Sequence, residues 1–211
     1  LASDIRFSTP SITDDQVWKL IIEPGVPLSL SSTYGLRAKR ISIFPEFISS
    51  GIFCSDPVQF HNYPLVAFQS TNFSDIIFSP FPTIDARLKI WVPTSQIIMG
   101  QITCANTSDV SRRINMDWLV QLDPLPNGRP MSPAHMGMNT ILQGNTSGLF
   151  PVFYLTGGPK ESSSAFPGLA IDMLLIPGAS RQVTWVLASQ NALESSFQQA
   201  RHYSSRQLDV E

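Results

Sequence analysis

Charge is scarce in this sequence. Of its 211 residues, 14% are Asp, Glu, Lys or Arg, against about 25% in an average soluble domain. A net charge of −2 supplies no basic face for phosphates, which argues against a nucleic-acid partner. The four Lys and five Glu are too few to dress the exposed faces of a helical fold. No apolar run reaches the roughly 18 residues of a bilayer span, so no membrane partner is expected. The two Cys and three His stand apart, without ligand spacing, so neither a metal nor a cofactor is expected. No nucleophile elbow and no phosphate-binding loop occurs.

What is present is 43% hydrophobic residues, with 17 Pro and 13 Phe. That balance favours strands joined by punctuated turns. Strand-like runs recur at Gln16–Glu23, Leu36–Phe44, Leu65–Thr71, Asp85–Val92, Gln96–Ala105, Arg112–Leu122, Asn139–Gln143, Leu149–Leu155, Leu169–Ile176 and Gln182–Ser189. In Arg112–Leu122 one parity (Ile114, Met116, Trp118, Val120, Leu122) is wholly apolar, the mark of a strand with one face on a core. In Asp85–Val92, Leu88, Ile90 and Val92 alternate with Arg87, Lys89 and Trp91. Pro-Gly, Asn-Gly and Gly-Gly breakers separate the runs. The pattern predicts an all-β fold, one large two-sheet antiparallel β-sandwich, with Trp118, Trp185, Ile114 and Leu174 in its core.

The tail is different. Asn191 is placed to cap a helix, with Glu194 at capping-box spacing. Leu193, Phe197, Ala200, Ser204 and Leu208 then form one helical stripe, which predicts a helix over Asn191–Val210 in need of an apolar partner. The chain opens at Leu1 and its helical pattern runs out at Glu211 with no stop signal. A domain cut from a longer protein is therefore expected. Cys54 and Cys104 lie in apolar strand surroundings and read as two free buried thiols. Free thiols and the lack of a visible secretory signal fit a cytoplasmic compartment better than a secreted one. Three glycosylation sequons, at Asn72, Asn106 and Asn145, are little above chance for eight Asn in a Ser/Thr-rich chain and matter only outside the cell.

The second half carries a resemblance. Gln101–Asn106 precedes a strand rich in Arg and Trp. Gly137–Gly144 and Phe150–Gly158 follow, then Leu174–Gly178, Val183–Ala188 and a helical Ala200-Arg201. This order resembles the N-terminal β-sandwich, or supersandwich, domain of glucoamylase-like glycoside hydrolases. The resemblance implies that 1–190 is the sandwich and 191–211 a linker helix leading to an (α/α)₆-barrel catalytic domain of the same parent chain. It places the catalytic carboxylates in that barrel, so it carries no catalytic residue to this chain. It makes the barrel the expected partner, met through Leu193, Phe197, Ala200 and Leu208.

Hydrolysis of a glycoside needs two carboxylates facing across a cleft. The adjacent pair Asp14-Asp15 reads as a solvated turn. Asp117 and Asp172 read as strand residues paired with Arg112, Arg113 or Arg181. His61, His135 and His202 lack triad partners. For an oligosaccharide, Trp91 on the polar parity of its strand is a stacking platform. Arg129 and His135 lie in Asp123–Met138, read first as a long Pro-stiffened surface loop and second as one that reaches a neighbouring domain or its ligand. A non-catalytic domain of a carbohydrate-processing enzyme is the reading that the resemblance implies. A free-standing carbohydrate-binding or adhesion module and a viral or appendage structural sandwich are the alternatives.

Overall fold

The computed structural model describes residues 1–2, 17–206 and 208. Along the chain run β1 (Lys19–Ile21), β2 (Ser29–Ser32), β3 (Ala38–Ser49), β4 (Ile52–Cys54), β5 (Asn62–Gln69), β6 (Phe73–Phe81), β7 (Ile84–Thr94) and β8 (Ile97–Asn106). Then come β9 (Arg112–Pro124), β10 (Arg129–Met136), β11 (Asn139–Asn145), β12 (Phe150–Leu155), β13 (Lys160–Glu161), β14 (Gly168–Leu175) and β15 (Ser180–Gln190). One helix, α1 (Leu193–Ser204), follows. The strands form two sheets. One is ordered β1-β2-β3-β9-β14-β13, with β4 also on β3, and the other β10-β11-β12-β15-β8-β7-β6-β5. The pairings are antiparallel. The fold is the all-β sandwich that the alternation predicts.

The core lies between the inner faces. Ile114, Met116, Trp118, Val120 and Leu122 are all buried, as their shared parity requires. Trp118 meets Trp185 across the sandwich at 5.1 Å between ring centres, and Phe153 stacks on Trp185 at 6.0 Å. Gly100 is the register partner of Trp185 on β8. A Cβ at Gly100 would lie 2.6 Å from two ring carbons of that indole, so glycine is what lets the ring lie flat on the sheet.

Leu174 is not in the core: it is 61% exposed, while Leu169, Ile171, Met173 and Leu175 of the same strand point inward. Asp172 marks the outward parity, and Leu174 shares it. Asp123–Met138 is not a loop either. β9 runs through Pro124 and β10 begins at Arg129, leaving a tight turn in which the Gly128 N–H donates to the Leu125 carbonyl at 2.9 Å. Pro130 and Pro133 fit a strand here because β10 ends the sheet, where a missing N–H breaks no inner ladder. The strands β2, β6, β10 and β13 are not among the runs legible in the sequence. β6 carries Ser74, Asp75 and Ser79 on buried positions, which hides its apolar character.

Candidate functional site

The helix determines what stays open on the outer face of the eight-stranded sheet. The stripe expected to face another domain is turned onto the chain's own sheet. Phe197, Ala200 and Leu208 are buried with Ile97, Met99, Ile141, Val152, Val186 and Ala188, and Leu193 is partly buried beside them. Asn191 does not cap the helix. Ala192 occupies the cap position, with no side-chain cap hydrogen bond, and Ser196 instead ties the first turn to the end of β15: its Oγ accepts the Gln190 N–H at 2.8 Å and donates to the Ala192 carbonyl at 3.2 Å. The helix also stops earlier than its stripe suggests. The Ser204 and Ser205 hydroxyls donate at 2.8 Å to the carbonyls of Arg201 and His202, satisfying groups that a continuing helix would have used. The chain nevertheless stays on the sheet. Gln101 Nε2 donates to the Arg206 carbonyl and Lys89 Nζ to that of Leu208, both at 3.2 Å. The rest of the expected helix lies outside the described residues, as does Asp14-Asp15.

The three residues expected to bind sugar do not converge. Trp91 on β7 is partly buried under the helix cluster, its ring 6.4 Å from that of Tyr203. Arg129 and His135 lie exposed on β10, five strands away in the same sheet. Arg129 borders a hollow of about 190 Å³ with Gln143, Phe150 and Leu193. His135 Nδ1 lies 3.4 Å from Thr140 Oγ1.

The partners of Asp117 are not the arginines expected. Asp117 is 2% exposed. It accepts hydrogen bonds from Asn115 Nδ2 at 2.9 Å and from the Ser162 hydroxyl. Ser162 Oγ in turn accepts the Ser164 N–H at 3.0 Å. Asp117 therefore pins the segment after β13 over the outer face of the seven-stranded sheet. Glu46 is its register neighbour on β3. Burial, and then the charge of Asp117, push the Glu46 carboxyl above its ordinary range. Arg181 reaches the Asp172 backbone carbonyl at 2.8 Å rather than its carboxylate. A carboxylate as enclosed and bonded as Asp117 is badly placed to attack or protonate a substrate.

Cys54 and Cys104 are free and buried, as read from the sequence. Burial pushes their thiols up to about 11 and about 12. Asn106, the middle sequon, is 1% exposed. Its Nδ2 donates to the Val110 and Leu175 carbonyls at 2.8 and 2.9 Å, and its Oδ1 accepts the Ser108 N–H at 3.0 Å. It is a structural clamp rather than a glycosylation site. Among the described residues, no group of three or more His, Cys, Asp or Glu is arranged to hold a metal.

Beyond the helix the outer face opens into a hollow of about 500 Å³ lined by β5, β6, β7 and β8. Asn62, Ser79, Asp85 and Arg87 in its lining are engaged. Asn62 Nδ2 donates to Ser79 Oγ at 3.0 Å, and Ser79 donates to Asp85 at 2.7 Å. Arg87 grips Asp75 through Nε at 2.9 Å and Nη2 at 2.5 Å. What remains is apolar: Tyr63, Leu65 and Ile77 are 48%, 61% and 40% exposed. The sequence signal for this patch is an apolar run on both parities of β5, which an inner strand would also show.

No protein-family model matches the chain, and no curated protein matches it. Solved structures do. The chain is similar to a structure assigned as a kojibiose phosphorylase from the human microbiome, with a TM-score of 0.54 at 10% identity over 92% of this chain and 29% of that one. It is also similar to a bacterial glucoamylase solved with acarbose, with a TM-score of 0.56 at 5% identity over 79% of this chain and 29% of that one. At such identity the likeness is one of fold. The chain spans less than a third of either enzyme.

Proposed function

We propose that this chain is the non-catalytic β-sandwich domain of a carbohydrate-processing enzyme of the glucoamylase-like kind, packed against a helical-barrel catalytic domain of the same parent polypeptide. The fold match carries the reading: two enzymes named for work on sugars contain this sandwich as under a third of their length. The enclosed state of Asp117 supports a structural role, as does the low charge, which suits a domain that covers part of its surface with a neighbour. The apolar patch of Tyr63, Leu65 and Ile77 is the surface best suited to that neighbour. Leu208 is held at Lys89 and Gln101, beside Arg87 and Thr103 on the rim of the same hollow, so a domain joined after the helix would meet this patch first. A free-standing carbohydrate-binding or adhesion module is the second reading, favoured by an open hollow on the other sheet that sets hydroxyls beside an exposed aromatic ring.

Assay of the isolated chain tests the proposal. It should release no sugar from maltose, longer α-glucans or aryl glycosides. Turnover that survives repurification and disappears on a single Asp→Asn or Glu→Gln change would overturn it. The coding sequence should continue past Glu211 into a helical domain bearing two facing acidic residues. A stop codon there would favour the free-standing module.

A further inference from the structure

The outer face of the seven-stranded sheet holds a hollow of about 480 Å³ between β1, β2, β3, β9 and the Phe166 segment, within the size range of small-ligand sites. Its floor is a row of polar side chains on four adjacent strands. Lys19 pairs in register with Ser31, Ser31 with Ser42, and Ser42 with Gln121. Three inter-strand gaps make the row about 14 Å long, which suits an extended ligand better than a compact one.

The polar groups here differ from those of the apolar hollow. Among the described residues, the side chains of Ser31, Ser42, Gln121 and Arg40 make no hydrogen bond or ion pair with the protein. Asp123, the register neighbour of Arg40, is engaged by Lys39 at 3.7 Å. Lys19 is matched by Glu23 at 3.6 Å, which leaves one unpaired charge, that of Arg40, among the described lining residues. An apolar wall stands beside this row. Phe44 and Phe166 meet edge to face at 6.0 Å, and Phe166 remains 42% exposed. Uncommitted hydroxyls, a carboxamide and a guanidinium next to an accessible aromatic plane match a ligand that is itself amphipathic, with hydroxyls around its edge and C–H groups on its faces.

We propose that this hollow binds a neutral oligosaccharide, with Phe166 stacking on a sugar ring and Arg40, Ser31, Ser42 and Gln121 bonding its hydroxyls. The site is built wholly within this chain and stands apart from the domain assignment above, whose failure would leave it intact. The test is titration calorimetry of the 211-residue chain against neutral gluco- and xylo-oligosaccharides and a uronic-acid oligosaccharide. At least one neutral ligand should bind with saturable heat. Phe166→Ala and Arg40→Ala should each weaken binding about tenfold, while Leu65→Ala on the opposite sheet should not. Phe166 is exposed enough that its loss should leave the unfolding midpoint near wild type, which separates lost binding from lost folding. Three results would each overturn the proposal: no binding across the neutral panel, neutral binding that both hollow variants leave unchanged, or binding of the acidic ligand alone that added salt abolishes.

Discussion

Gly100 and Trp185 offer a sharp test of the core packing. Trp185 is fully buried between Trp118, Phe153 and the backbone of β8. Trp185→Ala should cost about 3–5 kcal/mol. Gly100→Ala alone should cost about 1–3 kcal/mol, because its methyl would sit 2.6 Å from indole carbons. The backbone at Gly100 is not in the left-handed region, so with the indole gone an alanine there should do better than glycine by about 0.5–1 kcal/mol. The double variant should therefore be more stable than Trp185→Ala, with a coupling of about 1.5–4 kcal/mol. Urea unfolding of the four proteins reads this from midpoints at constant slope. If Gly100→Ala is equally harmful in both backgrounds, the ring contact is not why glycine is there.

Glu46→Gln should stabilise the chain at neutral pH, because the fold raises the pKa of Glu46 and so disfavours its ionised form. The gain should vanish below the ordinary glutamate range of about 4, where both states are protonated; a gain unchanged across that range refutes the assignment. The thiols, pushed to about 11 and about 12 against about 8.5 when unfolded, should resist alkylation at pH 8 in the folded chain and react in urea. The stability tied to them is intact below about 8.5 and lost as pH rises toward 11; rapid labelling of either native thiol would contradict this. Phe197→Ala should strip amide-exchange protection from Leu193–Ser204 while β8 and β9 keep theirs, since Phe197 belongs to the outer cluster and not to the inter-sheet core. Loss of protection throughout would show that the helix and the sandwich open together.

Strict alternation made the inner strands legible. Trp118 was readable because Ile114, Met116, Val120 and Leu122 share its parity, and both thiols because their neighbours are apolar. Leu174 was misplaced because Met173-Leu174-Leu175-Ile176 is apolar on both parities, so that Asp172 alone marks the wet side. Asp123–Met138 misled because prolines usually signal loops, and an edge position is a tertiary fact. Trp91 lost its role as a platform for a related reason: its polar parity was read correctly, but nothing local says that α1 lies across that parity. The hollow at Ser31, Ser42 and Gln121 was invisible because serines that line up across strands lie far apart in the chain.

The edges of the eight-stranded sheet have a consequence for assembly. β10 carries Pro130 and Pro133 and slips register between Arg129 and Ser132. β5 carries Pro64 and slips between Asn62 and Leu65 and again between Val66 and Phe68. An open sheet can in principle keep recruiting strands from other molecules, one at each border. Here both borders present an irregular row of donors and acceptors that no straight strand can match. The width of the sheet is thus terminated from within, and the molecule can leave an apolar patch on its face without growing into a ribbon from its sides.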